Sequence, residues 1–296
     1  MSDYAHIATD LVNAARAETD ERQKDLILRQ IREVALHRDP STIPLVLKDT
    51  LDMAVGAKTS TVVFLVRLAG ECLRKDYSQL PVVLASYSFL MTQESDRVHH
   101  EVAAELTKGY SKAALAVAEM FSAADANETG LKHSWKQLRG VATKLVDKVS
   151  SNRASEQLRT AGVALAENVV LFGLPAPVQK ADPRRRRAAG PAADSSSVAN
   201  LTSMHPFILD VKAELEKEAE DIFSKLVLWA YQGGPQGSPF TPAQMALLAQ
   251  AIASIAGQRH LRADGSDRDE PRSSKATKAL QVRVCVCVPA LLVYTF

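Results

Sequence analysis

Apolar residues recur at steps of three and four positions along most of the chain, and this spacing places them on one face of an α-helix. One such stripe falls within residues 27–35, and a matching stripe follows 37 residues later. The aligned pairs are Ile27 with Phe64, Leu28 with Leu65, Ile31 with Leu68, and Ala35 with Cys72. The pattern therefore predicts two copies of one helical unit.

The segments that connect these helices repeat at the same offset. Residues 36–47 and 73–84 are identical at six of twelve positions. In each copy we expect a serine to cap the next helix by accepting a hydrogen bond from a backbone N–H. We also expect a proline in the first turn of that helix, where its missing N–H removes no intrahelical bond. The serines are Ser41 and Ser78, and the prolines are Pro44 and Pro81.

Self-similarity at a period of 20 to 50 residues is typical of solenoid proteins, and helix pairs of about 40 residues fit the HEAT or armadillo type. We therefore predict an all-α fold, a HEAT/armadillo-like α-solenoid of about five antiparallel helix pairs. The predicted pairs are residues 4–16 with 21–37, 43–55 with 61–75, 80–91 with 97–120, 131–149 with 155–171, and 206–229 with 242–255.

Two local signals support the later helices. Thr241 and Gln244 match a capping box, with Pro242 at the first helical position. Trp135 and Trp229 lie on apolar stripes, so we predict that both are core residues rather than binding residues.

Composition divides the chain into four predicted segments. Residues 1–174 hold the first four helix pairs, 175–204 a disordered basic and serine-rich linker, 205–260 the fifth pair, and 261–296 a polar and then apolar tail that is disordered or aberrant. The linker contains Arg184, Arg185, Arg186 and Arg187. This run is typical of a nuclear import signal, and the alternative interpretation is a solubilising run of charge.

Charge and cysteine content exclude several classes of protein. The 36 Lys and Arg residues nearly balance the 34 Asp and Glu residues, which argues against nucleic acid as the main direct partner. Three cysteines cannot form a disulfide framework. The longest apolar stretch, 282–296, has 15 residues, fewer than the roughly 20 that cross a bilayer, so we expect no membrane span.

The candidate chemical motifs are weak. His99, His100 and Glu101 lack the second histidine that a zinc-binding helix requires, and we interpret them as part of a solvated helix face. Cys285 and Cys287 lack two further ligands at a usable spacing. Because neither a phosphate-binding glycine loop nor a nucleophile with its base can be defended, we predict no enzyme, no cofactor and no small-molecule substrate.

Several segments together resemble the N-terminal domain of the symplekin family. They are residues 36–120 with the two repeated turns, residues 135–173, and a His-Pro-Phe-Ile start at 205–208 that leads to an Ala-Ile-Ala-Ser-Ile-Ala-Gly-Gln-Arg ending at 251–259. The likeness covers roughly residues 5–260. It implies a nuclear scaffold of pre-mRNA cleavage and polyadenylation, whose HEAT domain holds a phosphatase that acts on the C-terminal tail of RNA polymerase II. Members of the family are longer, so we expect this sequence to be a truncated or mispredicted form.

In a solenoid of helix pairs, the second helix of each pair lines a concave wall that suits protein docking. The candidate contacts are polar residues of second helices that point away from the apolar stripe: Arg67, Glu71, Lys108, Lys112, Arg159 and Glu167. Two alternatives stay open. One is a helical-repeat RNA-binding protein, and the other is a HEAT adaptor in cytoplasmic trafficking or transport.

Overall fold

A computed structural model describes residues 3–122, 128–151, 153–173, 206–232 and 240–266 of the chain. Every regular element in these ranges is helical, which confirms the predicted all-α fold. The α-helices are α1 (Asp3–Ala17), α2 (Glu21–Glu33), α3 (Ile43–Asp52), α4 (Thr59–Lys75), α5 (Leu80–Leu90), α6 (Asp96–Ser122), α7 (Glu128–Val149), α8 (Glu156–Gly173), α9 (Pro206–Gln232) and α10 (Pro242–Ser266).

Each of these helices overlaps one predicted from the apolar spacing. The largest difference is at the end of α10, which runs to Ser266, beyond the predicted end of the fifth pair at residue 260. α2 continues through a π-helical turn, Val34–Arg38, so that the two together cover the predicted helix 21–37. The predicted linker 175–204, with its four arginines, lies outside the described residues, as does the tail from residue 267 onward.

The chain forms two compact units, Met1–Leu145 and Val146–Phe296. In the first unit, α1 packs against α2 and α3, α3 packs against α4 and α5, and α6 packs against α4 and α5. We call α1, α3 and α5 the leading row and α2, α4 and α6 the second row. Among the described helices, none is long and apolar enough to span a membrane.

The repeated turn of the first unit has nearly the same geometry in both copies. Asp39 has φ −148° and ψ 91°, and Asp76 has φ −142° and ψ 98°. A short 3₁₀ turn follows each aspartate, and an α-helix then begins with a proline in its first turn. The predicted positions of Pro44 and Pro81 are therefore confirmed.

The predicted capping role of the serines is wrong. Asp39 Oδ1 accepts the backbone N–H of Ser41 at 3.1 Å, and Asp76 Oδ1 accepts that of Ser78 at 3.0 Å. Ser41 Oγ instead donates to Asp39 Oδ1 at 2.6 Å. The extended backbone of each aspartate turns its carboxylate over the next turn, and a carboxylate is a stronger acceptor than a hydroxyl.

Apolar side chains from both rows fill the core of the first unit. Leu28, Leu65 and Leu68, which belong to the predicted stripes, are buried. Burial also raises the pKa of the Cys72 thiol to about 12, so this cysteine is a packing residue and not a nucleophile. The buried Tyr87 hydroxyl of α5 donates to the carbonyl of Val66 at 3.1 Å, which ties the leading row to the second row.

In the second unit, α8, α9 and α10 pack against one another. The predicted capping box at the start of α10 is confirmed. Thr241 N–H donates to Gln244 Oε1 at 3.0 Å, and Gln244 N–H donates to Thr241 Oγ1 at 3.3 Å. The buried Gln244 amide also donates to the carbonyl of Glu156 at 2.7 Å, which joins the starts of α10 and α8.

Both tryptophans are buried, as predicted. Trp229 of α9 packs with the Phe240 ring at a centroid distance of 5.9 Å. Trp135 belongs to the first unit and Trp229 to the second, so each unit contains one indole.

Candidate partner-binding face

Two helices of the second row, α4 and α6, carry charged residues in regular stripes. On α4 these are Arg67, Glu71 and Arg74, at steps of four and three residues. On α6 they are Glu101, Glu105, Lys108 and Lys112, at steps of four, three and four. Such steps place side chains one above another on a single helix face. Each helix therefore presents one line of charge along its length.

Two bidentate Arg–Glu pairs join helices of this row. Arg32 of α2 donates through Nε and Nη2 to Glu71 of α4 at 2.6 and 2.8 Å. Arg67 of α4 donates in the same way to Glu101 of α6 at 2.7 and 2.8 Å. Both pairs have the two-pronged geometry that makes guanidinium–carboxylate bonds strong and directional.

These contacts also show in which direction the helices of the second row run. Thr61, near the start of α4, lies beside Glu21 and Asp25 of α2, while Arg32 near the end of α2 meets Glu71 in the later part of α4. α2 and α4 therefore run in the same direction. The succession of pairs from Arg67–Glu101 to Arg74–Glu105 shows that α4 and α6 do so as well.

A second junction between α4 and α6 centres on the carboxylate of Glu105. Arg74 Nη1 donates to it at 2.5 Å, and Lys108 Nζ donates to it at 2.6 Å. The Glu105 side chain crosses α4 at Gly70, where an added Cβ would lie 3.0 Å from Glu105 Cβ and closer still to its carboxyl group. Gly70 therefore provides the space in which this junction forms.

The bidentate pairs shift the pKa of two of their members, Glu71 and Arg67, toward the charged form. Hydrogen bonding from Arg32 lowers the pKa of Glu71, against the opposing effect of burial. Hydrogen bonding to Glu101 raises the pKa of Arg67. Each shift favours the ionised form of its own pair, Arg32–Glu71 in the first case and Arg67–Glu101 in the second.

The pairs between α4 and α6 bury the acid and expose the base. The Glu101 side chain is 6% exposed, whereas its partner Arg67 is 58% exposed. Glu105 is 3% exposed, whereas Lys108 is 56% and Arg74 is 32% exposed. At these α4–α6 pairs, solvent and any docking molecule therefore meet mainly guanidinium and ammonium groups. Together with Lys112 they form a surface that we call the cation face: Arg67, Arg74, Lys108 and Lys112. Glu71 lies between the two arginines on α4, is 29% exposed and is bound by Arg32.

The structure brings four of the predicted contact residues onto the second row of the first unit. Arg67, Glu71 and Lys108 take part in ion pairs, two of which join helices and one of which lies within α6. Lys112 is exposed, one turn beyond Lys108. Their predicted role in partner binding stays a prediction, but three of them also have a structural role.

The other two predicted contacts belong to the second unit. Arg159, near the start of α8, donates through Nη2 to the carbonyl of Ser151 at 3.0 Å, and its guanidinium lies 6.0 Å from the centre of the Phe240 ring. Glu167 is half-buried on α8. Arg159 thus takes part in packing at the start of α8.

The interpretation of residues 99–101 as a solvated helix face is wrong. His99 and Glu101 are both buried, and the Glu101 charge is compensated by Arg67 of α4. In the part of the chain that the structure describes, we find no group of three or more His, Cys, Asp or Glu side chains placed to hold a metal ion.

The sequence analysis did not identify four residues of the ion-pair system as contacts: Arg32, Arg74 and Glu105 were not singled out, and Glu101 was considered only as a candidate metal ligand. A usable signal existed, because each arginine precedes its glutamate by 31 to 39 residues, close to the repeat length of 37. Such cross-links require opposite charges on successive second helices, separated in the sequence by about one repeat length.

Neither a protein-family model nor a curated protein matches the chain.

Proposed function

We propose that this protein is a non-catalytic scaffold of the HEAT or armadillo type that binds a partner protein through the cation face of its second row. The two nearly identical Asp-capped turns support the repeat architecture, since they reproduce one geometry at one repeat spacing. The row of helices running in one direction also fits this architecture.

The observation that carries the proposal is the exposure of bases over buried acids between α4 and α6. An ordinary solvated surface exposes both members of an ion pair, as Arg16 and Asp49 do at 44% and 47%. On the cation face the carboxylates are buried against the neighbouring helix, and the bases keep unused N–H donors that face outward. A partner can bind these donors without first displacing the internal pairs.

The resemblance to the symplekin family suggests the partner and the process. We propose a phosphatase that acts on the C-terminal tail of RNA polymerase II, within pre-mRNA cleavage and polyadenylation. This assignment rests on the sequence resemblance alone, whereas the choice of surface rests on the geometry of α4 and α6.

The test uses the full chain and such a phosphatase, both purified, with binding measured by isothermal titration calorimetry. Lys112→Glu reverses an exposed charge of the cation face, and Lys48→Glu makes the same change on α3 in the leading row. We expect binding by the parent chain, a loss of about tenfold in Lys112→Glu and no change in Lys48→Glu. Absence of binding by the parent chain, or equal losses in both variants, would overturn the proposal.

Arg67 is a poor choice for this test. Its removal would leave the buried Glu101 carboxylate without its arginine and would destabilise the fold, so weaker binding would have two explanations. Lys112 avoids this difficulty because it lies one turn beyond the residues that hold Glu105.

We also propose a nuclear location, with Arg184–Arg187 as the import signal. A fluorescently tagged chain should be nuclear, and changing the four arginines to alanine should move it to the cytoplasm. Cytoplasmic fluorescence of the unchanged chain would instead favour an adaptor in trafficking or transport.

A further inference from the structure

We infer that the cation face binds an acidic segment of its partner, a short extended stretch in which Asp or Glu residues recur at every third position. This inference rests on the proposed function, because it specifies what the partner presents to the same surface. It follows from the donors that remain free, from their spacing and from the side chains around them.

The unused donors define the chemistry of the ligand. Arg67 bonds Glu101 through Nε and Nη2, so its Nη1 group is left for a second acceptor. Lys108 bonds Glu105 through one of its three N–H groups. These groups are donors only, and all are positively charged, so carboxylate oxygens complement them best.

The spacing of the bases suits an extended peptide. Arg67 and Arg74 are seven residues apart on α4, which corresponds to about 10 Å along the helix axis. In an extended chain of the polyproline II type, which has three residues per turn and rises about 3.1 Å per residue, side chains three residues apart lie on the same side and about 9 Å apart. Carboxylates at positions i and i+3 of a peptide therefore match the two arginines.

The surroundings of the cation face argue against single-stranded RNA as the occupant. RNA binding without sequence preference combines a basic groove with aromatic side chains on which bases stack. Among the side chains that the structure describes in the first unit, the exposed aromatic residues are Tyr4 and Phe89, and both belong to the leading row. The four bases of the cation face thus offer charge without an exposed aromatic side chain among the described residues around them.

The experiment measures fluorescence anisotropy of a labelled twelve-residue peptide with Glu at every third position, added to the full chain. A peptide with Gln at the same positions and a labelled oligouridine are the comparison ligands. We expect the Glu peptide to bind more tightly than both, and its affinity to fall when NaCl is raised from about 50 to about 200 mM.

A matched pair of variants locates the binding. Lys108→Gln with Lys112→Gln removes two charges from the cation face while Arg74 still compensates Glu105, and Lys48→Gln with Lys58→Gln removes two exposed charges elsewhere in the first unit. We expect the first variant to bind the Glu peptide about fivefold more weakly than the parent chain, and the second variant to bind it as tightly as the parent chain. Circular dichroism should show equal helix content in both.

Failures of the two proposals are distinguishable. If the phosphatase binds and Lys112→Glu weakens it, but the Glu peptide binds no better than the Gln peptide or the oligouridine, the acidic-segment inference is overturned and the proposed function stands. If the Glu peptide binds through the cation face but the phosphatase does not bind, the inference holds and the proposed partner is wrong. Equal loss in both lysine variants would also overturn the inference.

Discussion

The two rows of helices in the first unit are joined in different ways. In the leading row, the ion pair Arg16–Asp49 joins α1 and α3. Both side chains are exposed, and the pair has a single N–O contact, at 2.7 Å. In the second row, the pairs of α4 with α6 bury their carboxylates. The outer surface of the leading row instead exposes apolar side chains, including Leu45 at 53% and Phe89.

This difference shows where the sequence fixes the relative position of neighbouring helices. Apolar contacts are non-directional and tolerate a shift of one helix along another. A buried carboxylate does not, because a shift would leave its charge without a base. We infer that the ion pairs set the register of the second row, while apolar packing supplies most of its stability.

The largest effect should come from removing that packing. Leu68 of α4 is buried in the core of the first unit. We expect Leu68→Ala to lower the free energy of unfolding by about 2 to 5 kcal/mol, through lost apolar contacts and the cavity that remains. Leu45→Ala, on the exposed side of α3, should change it by less than about 0.5 kcal/mol. Urea titration followed by fluorescence measures both values.

The distribution of the tryptophans allows this measurement to report on one unit. In a Trp229→Phe background, Trp135 is the remaining indole, and it belongs to the first unit. A loss below about 1 kcal/mol for Leu68→Ala would mean that packing beneath the ion pairs contributes little, contrary to the division of roles proposed for the second row.

The next effect tests the close approach of α6 to α4. Gly70→Ala would push the Glu105 side chain away from Arg74, and we expect a loss of about 1 to 3 kcal/mol from the overpacking. Gly109, within α6, has open space around the position of a Cβ, so Gly109→Ala should stabilise the helix by up to about 1 kcal/mol. The same unfolding assay measures both variants. Effects of the same sign would contradict the special role of Gly70.

Much of the fold was predictable because helical spacing and turn chemistry are local properties of the chain. The stripe that contains Leu28 and Leu65, the capping box at Thr241 and the burial of both tryptophans followed from such signals. The serine caps were predicted wrongly because the aspartate two residues earlier is the capping residue. It accepts the N–H of the serine itself, so each serine lies inside the 3₁₀ turn and not at the capping position.

The candidate site was less predictable because it depends on which helices become neighbours. Glu101 and Glu105 have the same residue type and local setting as many solvated glutamates, and their burial follows from the contact of α6 with α4. Arg67 was predicted as an outward contact residue, but its pairing with Glu101 depends on a residue 34 positions away. Residues this far apart meet only through tertiary packing.

A smaller effect concerns the Asp-capped turn that both copies share. Burial alone would raise the pKa of Asp76, but hydrogen bonds from Ser78 and Gln79 outweigh it and lower the pKa. A lowered folded-state pKa means that the carboxylate stabilises the fold above the unfolded pKa of about 4, and that this contribution is lost as the pH falls through the folded value. Asp76→Ala should therefore cost about 0.5 to 2 kcal/mol near pH 7.

The pH dependence of the unfolding free energy separates the contribution of the Asp76 charge from that of its capping hydrogen bonds. The difference in unfolding free energy between the parent chain and Asp76→Ala should narrow as the pH is lowered from about 5 toward 2. Asp76→Asn should keep most of the cap at neutral pH, because asparagine caps helices well, while losing this pH dependence. A difference for Asp76→Ala that stays constant across this range would show that the carboxylate charge contributes nothing.

The smallest effect compares the two kinds of ion pair directly. Double-mutant cycles with alanine give the coupling energy of Arg16 with Asp49 and of Arg67 with Glu101. The first pair is exposed on both sides, so its coupling should be about 0.2 to 0.5 kcal/mol. The second pair is bidentate and has a buried acid, so about 1 kcal/mol or more is expected. Raising the salt concentration should reduce the first coupling more than the second, because exposed charges are screened more strongly. Equal couplings with equal salt dependence would mean that burying the acid has no energetic consequence, and the contrast between the rows would then be one of exposure alone.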